Sequence, residues 1–244
     1  MIEFMKDRMY QVLAVFTGLT AFALRKILYL TAVDAKGLLR PFSAPEVALL
    51  VLTALFLLLL LLMLSREKLY YRYEKLHWSG LPAALGHWAA AVGLLLTLRL
   101  GPVVDAGKMT GLWTVLGWAA AVCLFLAGGM RLLKKKPFFL LHVVFCVFLL
   151  LHLVIHTRYW SAIPQVQEYL FALLGAVALA MFSYYTAALE AGCGNSRLLQ
   201  GTGLAAVYFC LAELAASGYP GLYLGGMLWA LTGLCGLKPA EKKD

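Results

Sequence analysis

Residues 137–160 read PFFLLHVVFCVFLLLHLVIHTRYW, an apolar run with no acidic residue and with its one arginine, Arg158, at the far end. A hydrocarbon core of ~30 Å takes about 20 apolar residues in helical form, so this stretch is long enough to cross a bilayer. Lys134, Lys135 and Lys136 precede it, and Arg158, Tyr159 and Trp160 close it. A basic cluster marks a cytoplasmic flank, and a Tyr-Trp pair marks an interfacial belt, so the run is read as leaving the cytoplasm. It also carries three of the five histidines, His142, His152 and His156. At ~100° per residue these fall within roughly 80° of arc, on one face of one helix.

The rest of the chain fits that solvent. Of its 244 residues 63% are hydrophobic and 14% charged, with a mean hydropathy of +0.83. Soluble domains carry roughly a quarter charged residues, and no soluble fold of this size hides so much apolar surface. The opening residues MIEFMKDRMYQ show no small-x-small cleavage signature, so the first apolar stretch is expected to stay in the protein. The net charge of +9 is read as segment-end lysines and arginines meeting lipid headgroups, not as a nucleic-acid surface. Cys123, Cys146, Cys193, Cys210 and Cys235 form no CxxC pair, and nothing in them suggests a disulfide framework or zinc site.

Eight segments meet the length rule: Met9–Val33, Pro45–Ser65, Leu81–Leu100, Gly111–Leu133, Pro137–Trp160, Val166–Leu189, Leu198–Ser217 and Pro220–Leu237. The expected fold is therefore an all-α integral membrane protein, one polytopic domain over 1–244, with about eight transmembrane helices. Arg25 and Lys26 interrupt the first segment, and a first helix lying in the interface would leave seven. The second segment opens with a capping signature, Ser43 with Pro45 and Glu46 behind it. With both termini cytoplasmic, the inner side receives fourteen basic residues: Lys6, Arg8, Arg66, Lys68, Arg72, Lys75, Arg131, Lys134, Lys135, Lys136, Arg197, Lys238, Lys242 and Lys243. The outer side receives the remaining seven of the 21, namely Arg25, Lys26, Lys36, Arg40, Arg99, Lys108 and Arg158. That excess favours this orientation. The stretch Arg66–Gly80 is read as a short interfacial helix, and Ser217, Gly221 and Gly225 as a small-residue stripe for close helix packing.

Ionisable side chains inside spans are costly, and they are the default functional candidates. His87 on the third segment and His142 on the fifth fall at similar depth, a pairing that would suit a b-type haem. His152 and His156, four residues apart, suggest a small metal ion if further ligands join them. A cofactor-free reading groups His152, His156, Arg158, Glu168, Glu213 and Arg99, with Asp105, as an outward-facing polar mouth for a small molecule or ion. The catalytic inventory is thin: no GxSxG elbow, no HExxH, no Walker loop. The expectation is thus a transporter-like or ligand-binding component of the cell membrane, with the bilayer and conceivable partner subunits or further copies as its company. A haem- or metal-bearing redox subunit and a purely structural protein are the two alternatives.

Overall fold

The apolar segments fold as eight helices in the computed structural model, which describes residues 2–32, 39–40, 42–66, 80–101, 108–160, 166–216 and 218–237. Side chains are described from residue 9 onward, except at 66, 158–160 and 166–168. The helices are α1 Ile2–Thr31, α2 Ala44–Arg66, α3 Leu81–Leu100, α4 Lys108–Leu132, α5 Leu140–Trp160, α6 Val166–Ala191, α7 Ser196–Glu213 and α8 Pro220–Gly236. The first six contain stretches long and apolar enough to span a membrane; α7 and α8 are shorter, at 18 and 17 residues. The expected interfacial helix over 66–80, Asp105, Ser217 and the side chains of Arg158 and Glu168 lie outside the described residues.

Six helices close a ring. Each of α3 to α8 packs against the next, and α8 returns to pack against α3. The seam between α3 and α8 is the closest crossing, because both helices present glycine there. A Cβ on Gly93 would stand 2.2 Å from the Gly221 carbonyl oxygen, and one on Gly225 would stand 2.7 Å from the Ala89 carbonyl oxygen. The glycine part of the expected stripe is thus spent inside the chain, backbone against backbone, as small residues allow in lipid. α1 packs outside the ring on α7, and α2 packs on α1 and α7. α2 is the most peripheral, and Leu58, Leu61 and Leu62 stand exposed on it as only a bilayer would solvate them.

Local signals set the helix ends. Asn195 starts α7 two residues earlier than the apolar pattern suggests, its side chain accepting from the backbone N–H of Arg197 at 3.0 Å and Leu198 at 3.3 Å. α4 ends in a Schellman turn: Lys134 takes φ 56°, and the Lys135 N–H reaches back 2.8 Å to the Met130 carbonyl. That turn fixes Arg131 in the last helical turn, facing inward. The capping box expected at α2 is not closed, since the Ser43 hydroxyl is buried without a hydrogen bond. Nor do Arg25 and Lys26 interrupt α1. The helix runs through them because Arg25 is buried against α7, where it pairs with Glu213.

Candidate functional site

The interior of the ring is furnished mainly by α5. His142, Phe145, Leu149, His152 and His156 recur at spacings of three and four, and all five are buried. The sequence pattern that placed the histidines on one face therefore also selects the face that turns inward. Other helices complete two polar layers on that face.

The layer at the α5 N-terminal end joins four helices. Arg131 from α4 donates to Glu190 Oε1 of α6, and Glu190 Oε2 lies 2.8 Å from His142 Nδ1. His142 Nε2 in turn lies 3.0 Å from His87 Nε2 of α3, and His87 Nδ1 is 2.6 Å from the Ala83 carbonyl oxygen. Ser183 donates to the His142 carbonyl at 2.8 Å, which fixes α5 against α6. Trp229 of α8 stacks on the His142 ring, with 10° between planes and 5.9 Å between centroids, and meets His87 edge-on. All four chain members are buried, Glu190 being the most accessible at 3%.

Counting protons makes this chain unusual. Each of its three imidazole hydrogen bonds needs one proton. The Ala83 carbonyl can only accept, so His87 Nδ1 donates to it. Two neutral imidazoles and an ionised carboxylate hold two protons for three hydrogen bonds, so the geometry has a place for one more. The hydrogen-bonded line from Glu190 through His142 to His87 offers such a proton a continuous path.

The layer toward the other end of α5 is built from Trp113 of α4, His152 and His156 of α5, and Tyr219 at the start of α8. Trp113 Nε1–H donates to His152 Nδ1 at 3.3 Å. His156 Nδ1 donates to the His152 carbonyl at 2.8 Å, so its Nε2 accepts from the Tyr219 hydroxyl, also at 2.8 Å. Between the two layers lie Phe145, Phe148 and Trp229, with Phe182 edge-on to Trp229 at 4.7 Å. Along α5 the ten residues from His142 to His152 span ~15 Å at 1.5 Å rise. No polar wire crosses that aromatic middle among the described residues.

These placements bear on several sequence expectations. His87 and His142 do meet, but by direct hydrogen bonding at 3.0 Å. Two nitrogens on opposite sides of a metal stand about 4 Å apart, twice a ~2 Å metal–nitrogen bond, so this arrangement is not a haem sandwich. His152 and His156 have three of their four ring nitrogens committed to protein groups, and no group of three metal-ligating side chains forms among the described residues. The described members of the expected mouth do not come together. Glu213 is engaged by Arg25, which also donates to the Ala212 carbonyl at 3.2 Å and lies 5.0 Å from the Phe171 ring centroid. Arg99 is exposed on α3 beside Leu96 and Trp118, on the outward face of the ring. Only His152 and His156 of that group lie in the ring interior, and Arg158 and Glu168 fall outside the described side chains.

Arg131, Glu190, Trp113, Tyr219 and Trp229 are site residues that sequence reasoning did not assign. Arg131 and Glu190 had a usable signal: opposite charges at one depth on two spans that sandwich α5. Arg25 and Glu213 form the second such buried pair, and it ties α1 to the ring. Removing Glu213 alone, as Glu213→Leu, is expected to cost about 3–5 kcal/mol because Arg25 keeps its buried charge. Adding Arg25→Met should recover most of that loss, and thermal unfolding of both variants in detergent checks it. No protein-family model, no curated protein and no solved structure matches this chain.

Proposed function

We propose that the chain is a transporter-like membrane component that couples proton movement to opening of its six-helix ring. In this reading all eight helices cross the bilayer and both termini are cytoplasmic, which puts the Arg131–Glu190–His142–His87 chain at the cytoplasmic end. The observation that carries the reading is the proton count of that chain. A proton resident on Glu190, His142 or His87 redistributes charge beside a buried guanidinium. When it sits on Glu190, the carboxylate that holds Arg131 of α4 and His142 of α5 to α6 is neutralised. Loading the carboxylate thus loosens a tie among three ring helices, the way a proton can bias an element with two arrangements.

The aromatic middle favours coupled movement over an open proton channel. Phe145, Phe148, Phe182 and Trp229 leave no polar contact between the two layers, so passage requires the helices to rearrange, as in alternating access. The α3–α8 seam is the natural place for a sliding motion, because at Gly93, Gly221 and Gly225 backbone meets backbone.

Purified protein reconstituted into liposomes with a lumenal pH-sensitive dye, under an imposed potassium diffusion potential, tests the proposal. Proton uptake above that of empty liposomes is expected for the native chain. His142→Gln keeps the size and some hydrogen bonding but removes the central proton carrier, and it should slow uptake by about tenfold or more. An unchanged size-exclusion profile establishes that the variant is folded. Uptake equal to that of empty liposomes, or an equal rate in native and folded His142→Gln protein, refutes the reading.

A further inference from the structure

The second histidine layer contains a donor that no described residue accepts from. Trp113 Nε1–H can only donate, so His152 Nδ1 must accept, and the ring carries its proton on Nε2. His152 is fully buried, and among the described residues no group accepts from that Nε2–H. Its ring is enclosed by His156 at 4.0 Å, Tyr219 at 5.3 Å, Phe148 at 6.2 Å and Trp113 at 6.3 Å between centroids. Those neighbours are committed to orienting the donor. Trp113 fixes the tautomer, and His156 spends its own Nδ1–H on the His152 carbonyl, which pins the helical turn between the two rings. A buried N–H left without an acceptor is costly, and native interiors satisfy such groups.

We infer that His152 Nε2–H binds a small oxygen acceptor inside the ring, supplied either by a water molecule or by the oxygen of a carried solute. The chemistry excludes a cation at this position: the group is a neutral imidazole presenting a proton, and its lone pair is already taken by Trp113. It favours an acceptor of water, carbonyl or carboxylate type, among neighbours that are mainly aromatic rings. The inference stands whether or not the first layer moves protons, since it rests on Trp113, His152 and their neighbours alone.

Solid-state NMR of protein labelled with nitrogen-15 only at histidine, in lipid, reads the site directly because the chain has five histidines. The His152 signals are assigned by their loss in His152→Gln. The expected result is a proton on Nε2 and not on Nδ1, with one of two responses. A polarisation-transfer peak from water to that N–H identifies water as the acceptor. A shift of the same resonance on adding formate or formamide, with no water peak, identifies a solute-type oxygen. Trp113→Phe should release Nδ1 and mix the two tautomers. A native His152 protonated on Nδ1, or an Nε2–H that shows no water peak and responds to neither probe, overturns the inference. His152→Gln serves only for assignment, which holds when the other four histidine signals stay in place; the tautomer and acceptor are then read in the native protein, and proton uptake in liposomes is not part of the test.

Discussion

Glu190→Ala should unfold well below the native chain, by about 3–5 kcal/mol, the range for breaking a buried ion pair from one side. Both oxygens of Glu190 are in use, one on Arg131 and one on His142, and none of the three side chains reaches solvent. Alanine therefore leaves a guanidinium and an imidazole in the ring interior without the carboxylate that held them. Against a total stability of ~5–15 kcal/mol, that loss is large. The double variant Arg131→Met with Glu190→Leu should lie much nearer the native midpoint, because replacing a buried pair by apolar side chains of similar volume is often close to neutral. Thermal unfolding in detergent, followed by tryptophan fluorescence, compares the three. The double variant has a second use: it should fold yet lose proton uptake, which separates holding the ring together from loading it. An Glu190→Ala midpoint equal to the native one would mean that the carboxylate carries little of the ring's stability.

The second large effect is expected at the α3–α8 seam. In Gly93→Leu the first side-chain carbon alone would come within 2.2 Å of the Gly221 carbonyl oxygen. Both partners at that contact are backbone, so no rotamer change relieves it and α8 must move bodily. Overpacking of this kind costs typically 1–3 kcal/mol, and a backbone-on-backbone clash belongs at the upper end or above it. Moving α8 also carries Trp229 away from His87 and His142, so the effect reaches the first polar layer. Gly129→Ala is the matched control. It adds a carbon on α4 where nothing lies within 4 Å, and alanine is the better helix former by about 1 kcal/mol. Its midpoint should stay level or rise while that of Gly93→Leu falls.

The sequence made the helices legible, because apolar length and basic or aromatic flanks are properties of a single segment. It made the histidine face of α5 legible too, since the 142, 145, 149, 152, 156 spacing belongs to one helix. What it did not make legible was who stands opposite. The partners of that face come from α3, α4, α6 and α8, and ring order is set by packing between residues far apart in sequence. Glu213 and Arg99 show the physical reason. Glu213 was grouped with Arg158 and Glu168 by depth, and depth is read from the distance to a segment's end. Its direction around the helix axis depends on which neighbour packs there, and that neighbour is α1, whose Arg25 looked like an interruption of the first apolar run. Arg99 is the same case reversed: its depth was right for a mouth, but its side of α3 faces away from the ring. The Arg131–Glu190 tie had a signal in charge and depth, yet Arg131 was absorbed into the count of basic residues that sets orientation.

The attachment of α1 to α7 bears on how the molecule is made. Arg25 and Glu213 are 188 residues apart. At ~5–20 residues per second, roughly 10–40 s pass between synthesis of the arginine and of its carboxylate. During that interval α1 and α2 have emerged, but the face of α7 on which α1 docks has not. Arg25 lies near the end of α1, where a long basic side chain can reach the headgroups and wait at modest cost. Completion of α7 then draws it out of the interface and into the protein. The contact of α1 with α7 thus forms only once α7 has been made, so that contact reports that the seventh helix is in place.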